Sequence, residues 1–377
     1  MIAQTEDAVT RGLECRSVAR PPLLDLVEAY RTGRTDFPAG RIPSARLAWA
    51  IESGLAPVLA RASASFVHGG GADADAIRGA DLAARIVADD QSEATVALID
   101  ACQGRVGPLT LLKGIWLGHA LYPEPHLRPM RDVDVMVEPG EVAEVEDVLR
   151  GLGYLPAVEP DVDDYRDHHH AVPYRHPHTG VVIEVHRALV PANGPFGADA
   201  TFSLDNVRRH VTADTFRGRP VRRLSDGLLL AHLAAHWSSS FKAVGSAGGL
   251  VVLLDLLALV DRVDWARAAD DLRGSTAAFS LWLLLAYLEA RGLRALPPDV
   301  RALVRPPLGA ADAVSIALLH ALMDVRVANG RPYGGLVFTR RTFEIVWKTL
   351  LRPSPAALNL ASLPWSLLSS RWTGRSV

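Results

Sequence analysis

The chain has 377 residues, a formal net charge of −2 at pH 7 and 49% hydrophobic residues. A net charge so close to zero predicts no strong field for nucleic acid or for a membrane surface, so we expect neither as a partner. The two cysteines, Cys15 and Cys102, provide no disulfide framework, which is typical of a reducing compartment. The N-terminus has neither a basic start nor an apolar segment, which predicts no signal peptide and a cytoplasmic location. The longest apolar runs are short or are interrupted by Asp255 or prolines, so no membrane span is predicted.

The periodicity of apolar residues divides the chain into four predicted parts. In chain order they are an N-terminal helical leader at 1–75, a core at 76–224, a C-terminal helical domain at 225–352 and a tail at 353–377. Predicted helices lie at 22–32, 44–62, 76–104, 109–121, 140–152, 226–237, 249–261, 264–272, 276–291, 298–305, 310–328 and 339–351, with a loop at 69–74. Predicted strands lie at 132–137, 172–175, 180–187 and 220–223. Mixed elements followed by helices alone predict an α+β fold with a mainly helical C-terminal region.

Two aspartates open the strand predicted at 132–137. Apolar residues alternate with Asp132 and Asp134, so both carboxylates are predicted on one face of the strand. Neighbouring carboxylates repel each other, and a hard divalent ion such as Mg²⁺ is the usual cation that offsets this repulsion. On the strand at 180–187, Glu184 and His186 share a face. If the two strands are neighbours, Glu184 completes a three-carboxylate cluster of the kind used in two-metal phosphoryl and nucleotidyl transfer.

The helix predicted at 109–121 carries features suited to phosphate. Gly114 and Gly118 lie four residues apart and offer a backbone surface that phosphates can approach. Lys113 precedes them and is either a phosphate ligand or a surface lysine, because the dipole at a helix start disfavours a cation unless an anion is bound. Arg128 and Arg131 either contact a triphosphate, because arginine matches phosphate oxygens bidentately, or pair with local acids.

These stretches together resemble the polymerase-β-like nucleotidyltransferase superfamily, in which a Gly-rich helix start precedes an Asp-x-Asp strand and a third acidic strand follows. More narrowly, the chain resembles an uncharacterised bacterial nucleotidyltransferase family sometimes met beside peptide-modification genes. The matching stretches are 112–114, 121–123, 127–134, 152–154, 183–186 and 229–236, within residues 80–290.

The resemblance implies a core with a small mixed sheet and helices, an NTP as co-substrate, and Mg²⁺ or Mn²⁺ held by Asp132, Asp134 and Glu184. The chain departs from the superfamily at the phosphate helix, where Gly-Ser or Gly-Gly is usual and Gly114-Ile115 stands here. Phosphate is then held by Lys113 and backbone amides without a serine hydroxyl, or it is held less tightly.

Histidines are concentrated after residue 167. His168, His169, His170, His176, His178 and His186 fall in one segment. Imidazoles bind zinc, but a structural zinc site usually includes cysteine, and neither cysteine is near. The segment is therefore interpreted either as a flank of the active site or as a surface loop whose histidines do not contact the substrate. His232 and His236 lie four apart on a predicted helix, and His236 is either a nucleotide-facing residue, with Asp255 as a possible partner, or an ordinary core histidine.

The predicted reaction is transfer of an NMP from an NTP to an unknown acceptor, a peptide or a small molecule, with release of pyrophosphate. Asp132 and Asp134 are expected to bind two Mg²⁺ ions, while Glu184 shares one metal and accepts the proton of the acceptor. The predicted nucleotide-binding residues are Lys113, Gly114, Arg128, Arg131, His186 and His236. Three alternatives remain open: a phosphotransferase on the same fold, a non-catalytic scaffold, and a zinc-dependent hydrolase that uses the His168–His178 cluster.

Overall fold

The computed structural model describes residues 21–158, Tyr165, residues 168–240 and 248–306, and part of 316–324. The helix predicted at 339–351 and the predicted tail at 353–377 lie outside the described residues. Within them the predicted α+β class is confirmed, because helices surround a seven-stranded mixed sheet.

From residue 21 onward, where the described structure begins, five helices precede the sheet. They are α1 (Pro22–Arg31), α2 (Ser44–Glu52), α3 (Ala56–Ala62), α4 (Ala64–His68) and α5 (Ala72–Cys102). The single helix predicted at 44–62 is wrong, because the chain turns at Gly54, whose φ is +84°. A Cβ on Gly54 would lie 2.6 Å from the Cβ of Pro129, so only glycine allows this close approach to the core. Helix α5 begins inside the loop predicted at 69–74.

The seven strands are β1 (Thr110–Leu111), β2 (Val133–Met136), β3 (Leu155–Pro156), β4 (Tyr174–Arg175), β5 (Val182–His186), β6 (Val211–Phe216) and β7 (Arg219–Leu224). Their order across the sheet is β3-β4-β5-β2-β1-β7-β6. The pairs β2–β5 and β1–β7 are parallel, and the other four are antiparallel. The sheet therefore places β2 and β5 side by side at its centre.

Three strands were not predicted from the sequence. Strands β1 and β3 have two residues each, which is too short for alternation to be recognised. Strand β6 forms a hairpin with β7 through Arg217 and Gly218, which have φ values of 47° and 79°. Positive φ at both central residues is typical of the type I′ turn, whose twist suits a two-residue hairpin.

Eight further helices complete the described part of the fold. They are α6 (Lys113–Leu121), α7 (Val142–Gly151), α8 (Leu204–Arg209), α9 (Asp226–Ser240), α10 (Gly248–Leu259), α11 (Trp265–Asp271), α12 (Ala277–Ala290) and α13 (Pro298–Val304). The predicted start of the helix at 109–121 is wrong, because its first residues form β1 and α6 begins at Lys113.

The C-terminal helices pack on one another and on the core. Helix α9 contacts α11 and α12, and α10 contacts α6. Helix α12 is apolar on nearly every face, and a helix of this composition is stable only when it is surrounded by protein. The buried apolar side chains form one cluster that extends from Leu23 to Met323. Among the described residues, no helix combines the length and the apolar character that crossing a membrane requires.

Candidate active site

The central pair of strands aligns two acidic residues. Asp134 on β2 lies directly opposite Glu184 on β5, and Met136 lies opposite His186. Because paired residues of neighbouring strands project from the same face, Asp134, Glu184 and His186 meet on one side of the sheet. Their potential ligand atoms all lie within 4.8 Å of one another. We call these three residues the carboxylate cluster.

Asp134 is almost fully buried and contacts two basic groups. Its Oδ1 is 2.8 Å from Nε2 of His186, and its Oδ2 is 3.3 Å from Nζ of Lys113. Burial opposes ionisation, but the charges of Lys113 and His186 outweigh it and hold the pKa of Asp134 well below its ordinary value. The same attraction raises the pKa of Lys113 against its own burial. Asp134 is thus a buried carboxylate balanced by neighbouring cations.

His186 contributes to this balance. Burial disfavours its charged form, but its hydrogen bonds to Asp134 and Glu184 raise its pKa above the ordinary value. Glu184 shows the complementary effect, because His186 lowers its pKa although burial would raise it. At neutral pH, Glu184 is therefore an ionised carboxylate, and its side chain is more accessible than that of Asp134, at 19% against 2%.

Asp132 lies at the entrance of β2, one residue before the strand begins. Burial, followed by repulsion from Asp134, raises its pKa above the ordinary value, and Lys113 opposes this shift. Because β2 begins at Val133, the expectation that Asp132 is a strand residue is wrong. The charge of Asp132 nevertheless acts directly on Asp134 and Glu184. Asp132 is half-buried, and it flanks the carboxylate cluster rather than belonging to it.

Helix α6 begins beside the carboxylate cluster. The N–H of Leu112, its N-cap residue, donates to the backbone carbonyl of Asp134 at 3.1 Å, so strand β2 fixes the helix start. Lys113, the first helical residue, then extends to the Asp134 carboxylate. The first amides of a helix lack partners within the helix and attract anions. Two phosphate-binding features predicted from the sequence therefore lie next to the predicted metal ligands.

The glycine face of α6 has a different role from the one that the sequence suggested. A Cβ on Gly114 would lie 3.1 Å from both Nη1 of Arg128 and Sδ of Met130, and one on Gly118 would lie 3.4 Å from the carbonyl oxygen of Pro125. The glycines make room for the segment that leads to β2, so this face is not an open surface for phosphate. The amides at the helix start are unaffected by this correction.

Arg128 is buried against that face and binds Asp255 of α10. Its Nε donates to Oδ1 at 2.9 Å and its Nη2 donates to Oδ2 at 2.8 Å, while the hydroxyl of Tyr122 donates to Oδ1 at 2.7 Å. The predicted alternatives for Arg128, a triphosphate contact or a surface ion pair, are thus replaced by a buried ion pair. Asp255, which the sequence suggested as a partner of His236, receives these bonds instead. Arg131 is exposed.

The predicted histidine segment separates into two groups. His170 forms an isolated bridge with His186, and its Nε2 lies 3.6 Å from Oε2 of Glu184. His168 and His169 pack on His170, whereas His176 and His178 form a second ring pair beyond β4. The cluster predicted as one unit is therefore divided by the strand. His170 lies beside the carboxylate cluster because it pairs with His186 of β5. The only feature of the sequence that pointed to this pairing was the short strand predicted at 172–175.

His232 and His236 lie on α9, near the carboxylate cluster. Their rings are 6.5 Å apart between centroids. Burial, followed by the charge of Lys113, lowers the pKa of His232 to about 3. His232 is buried, whereas the ring of His236 is exposed to solvent. His236 thus presents an accessible imidazole at the border of the site.

Comparison with known proteins identifies the family. Neither the curated proteins nor the solved structures include a match. The profile of a family described as uncharacterised nucleotidyltransferase matches residues 43–291, which is more than half of the chain. This range contains β2, β5, α6 and α9, and therefore every residue of the site described above. The chain belongs to the uncharacterised nucleotidyltransferase family.

Proposed function

We propose that the protein transfers a nucleoside monophosphate from an NTP to an acceptor, with Mg²⁺ or Mn²⁺ as cofactor and release of pyrophosphate. The observation that carries this proposal is the pairing of Asp134 with Glu184 on adjacent parallel strands, beside the start of α6. Membership of a nucleotidyltransferase family supports nucleotidyl transfer at the general level. The metal ion, the NTP and the transfer of its nucleoside monophosphate to an acceptor are our inference from the site.

The oxygen atoms of Asp132, Asp134 and Glu184 suit a hard divalent cation. Carboxylate oxygens are the ligands that Mg²⁺ and Mn²⁺ prefer, and Asp134 and Glu184 are directly paired. When bound, such ions supply positive charge to the attacking and leaving oxygens of the transfer. Two carboxylates at the centre and one at the entrance of β2 make a donor set that extends along the site. This arrangement supports the predicted role of all three acidic residues.

Lys113 has two functions in this proposal. Without a divalent cation it balances the charge of Asp134, with its Nζ 3.3 Å from Oδ2. A divalent cation held by the acidic residues would supply that charge balance instead, and Lys113 would then be available to bind the β- and γ-phosphates together with the first amides of α6. His186 keeps Asp134 oriented through its bond to Oδ1. The chain thereby couples the arrival of the nucleotide to the charge state of the carboxylate cluster.

Glu184 is suited to accept the proton of the acceptor group. It is ionised at neutral pH because His186 lowers its pKa, and it is more accessible than Asp134. A base must lie within hydrogen-bond reach of the proton it removes, so the acceptor would enter on the Glu184 side of the site. His170 lies on this same side, 3.6 Å from Glu184. The acceptor itself, a peptide or a small molecule with a hydroxyl or an amine, is defined here only by this chemistry.

The test follows the phosphate that is transferred. The full chain is incubated with Mg²⁺, candidate acceptors and each NTP labelled in turn at the α- or the γ-phosphate. We expect α-label to appear on the acceptor and unlabelled acceptor from the γ-labelled NTP. Transfer of γ-label would replace this proposal with a phosphotransferase. If neither the α-label nor the γ-label reaches any acceptor, with all four NTPs and a broad acceptor set, the result would favour a non-catalytic scaffold.

A further inference from the structure

Three consecutive histidines form a compact group beside the carboxylate cluster. The ring centroids are 4.3 Å apart for His168 and His169, 4.1 Å for His168 and His170, and 4.8 Å for His169 and His170. One potential ligand nitrogen from each ring lies within 4.8 Å of the other two. Successive side chains of a regular strand point to opposite faces, so the bends at 168 and 169 are what bring the three rings together.

The nitrogens of these rings are only partly used by the protein. Nδ1 of His168 and Nδ1 of His169 are buried, and neither has a hydrogen-bond partner in the described part of the chain. A buried polar atom without a partner lowers the stability of the fold, so this group is unfavourable unless something binds it. His170 differs, because its Nδ1 is 2.7 Å from the carbonyl oxygen of Ala171. That bond places the proton on Nδ1 and leaves the lone pair of Nε2 available.

The hydrogen bond of His170 has the form found in metal sites. A histidine that ligates a metal usually donates its other N–H to a carbonyl or carboxylate, which fixes the tautomer and the ring orientation. The antiparallel bridge to His186 fixes the backbone of His170, and the carbonyl of His169 accepts hydrogen bonds from the N–H groups of Arg187 and Ala188. The backbone that carries His169 and His170 is therefore held in place by strand β5 and the residues that follow it.

We infer that His168, His169 and His170 bind a transition-metal ion of borderline softness, of which Zn²⁺ is the representative. Three imidazoles suit Zn²⁺ far better than Mg²⁺, which prefers oxygen ligands. In a tetrahedral zinc site, nitrogens at 2.0–2.1 Å from the ion are about 3.3 Å apart, so the rings need to move by no more than about 1.5 Å. Three protein ligands leave the fourth position open, as in zinc sites that exchange a water molecule.

This ion would lie next to the carboxylate cluster but would be chemically distinct from its cation. Nε2 of His170 is 3.6 Å from Oε2 of Glu184, and Nε2 of His186 is 3.7 Å from the same oxygen. Glu184 is thus the point of contact between an oxygen-rich site and a nitrogen-rich site. The inference does not depend on nucleotidyl transfer, because the ligands belong to the chain and binding is measured without nucleotide.

The experiment measures metal content and affinity with the metal alone. The full chain is freed of metal with a chelator, given Zn²⁺, dialysed and analysed by mass spectrometry for bound zinc. The variants are His168→Gln and His169→Gln. The matched control is His178→Gln, an exposed histidine of the second ring pair. We expect one zinc ion per chain in the unmodified protein and in the control, and at least a tenfold loss of affinity in each of the other two variants.

A second readout identifies the ligands. Replacement of Zn²⁺ by Co²⁺ should give the intense visible absorption of a four-coordinate ion with nitrogen ligands, and His169→Gln should weaken it. Asp134→Asn should leave both the zinc content and this spectrum unchanged. The far-UV circular dichroism of each metal-free variant shows whether it has folded, and a change there moves the test to the remaining histidine variant.

Two results would overturn the inference. Equal zinc affinity in the unmodified protein and in the double variant His168→Gln and His169→Gln would show that these rings are not ligands. Loss of zinc in Asp134→Asn with retention in His168→Gln would assign the ion to the carboxylate cluster. Neither result bears on nucleotidyl transfer, which the label experiment tests separately.

Discussion

Two buried aspartates of this protein have opposite environments. Asp255 on α10 receives two hydrogen bonds from Arg128 and one from Tyr122, all between 2.7 and 2.9 Å. Asp134 on β2 is equally buried, but its counter-ions are His186 and a lysine at 3.3 Å. Arginine stays protonated and fits a carboxylate bidentately, whereas lysine and histidine give up a proton or a partner more easily. The ion pair of Asp255 with Arg128 is suited to holding α10 and the segment that leads to β2 together permanently. The contacts of Asp134 are suited to replacement of its lysine partner by another cation.

The largest expected effect is on catalysis at the exchangeable aspartate. Asp134→Asn should reduce nucleotidyl transfer at least a thousandfold, about 4 kcal/mol in activation free energy, because it removes a proposed metal ligand. The measurement is single-turnover transfer of α-label. Asp205→Asn is the control, since Asp205 is exposed and pairs with Arg208 on the surface. Activity within tenfold of the unmodified protein in Asp134→Asn would remove this residue from the proposed metal site.

The permanent ion pair should matter for stability instead. Asp255→Asn leaves Arg128 buried without its partner, which is expected to lower the free energy of unfolding by about 3 kcal/mol. Urea denaturation followed by circular dichroism measures this change. Asp100→Asn serves as the control, because it breaks an exposed ion pair with Arg219 and should cost less than about 1 kcal/mol. Similar losses in the two variants would contradict the contrast between the buried aspartates.

An intermediate effect is expected at Lys113, which balances the charge of Asp134 and is proposed to bind phosphate. Lys113→Gln should lower kcat/KM for the NTP by about tenfold to a hundredfold, or about 1.4–2.8 kcal/mol. Binding of Mn²⁺ alone should be unchanged or tighter, because the lysine no longer competes for Asp134. Titration calorimetry with Mn²⁺ and steady-state kinetics separate the two effects. Weaker Mn²⁺ binding together with unchanged NTP kinetics would show that Lys113 does not act on phosphate.

The smallest effect concerns the pH dependence of stability. The pKa of His232 is about 3 in the folded protein and about 6.5 in the unfolded chain. Between these values the unfolded chain binds a proton that the folded protein does not, so stability is complete above pH 6.5 and decreases as the pH falls. The expected contribution is about 1.4 kcal/mol per pH unit. His232→Gln should reduce the slope of unfolding free energy between pH 4.5 and 6 by this amount, and an unchanged slope would contradict it.

The central part of the site was predictable from local patterns. Period-two alternation identifies β2 and β5, and the same parity places Glu184 and His186 on one face of β5. The helix at Gly114 was also predictable, although its start was not, because the predicted helix began at 109 whereas α6 begins at Lys113. These features depend on residues that are close in sequence. For this reason the structure agrees with the sequence-based prediction for these features.

Other features depend on contacts between distant segments. Arg128 and Asp255 are separated by 127 positions, and no local pattern pairs them. The glycines of α6 suggested phosphate because an open surface and a tightly packed one require the same small residue. The division of the histidine segment also depends on the register of β4 and β5, which a two-residue strand does not reveal. Tertiary packing decides each of these cases.

The socket that Gly114 and Gly118 form for Arg128 has a consequence for ligand binding. Arg128 lies four residues before Asp132, and it is anchored both in the socket and on Asp255 of α10. The segment between Arg128 and β2 therefore has little conformational freedom. As a result, Asp132 and Asp134 are oriented before any ligand binds. Such preorganisation lowers the entropic cost of binding, because few groups need to be immobilised. Through its ion pair with Arg128, helix α10 would thus favour binding of the proposed ligand by holding the segment that carries Asp132.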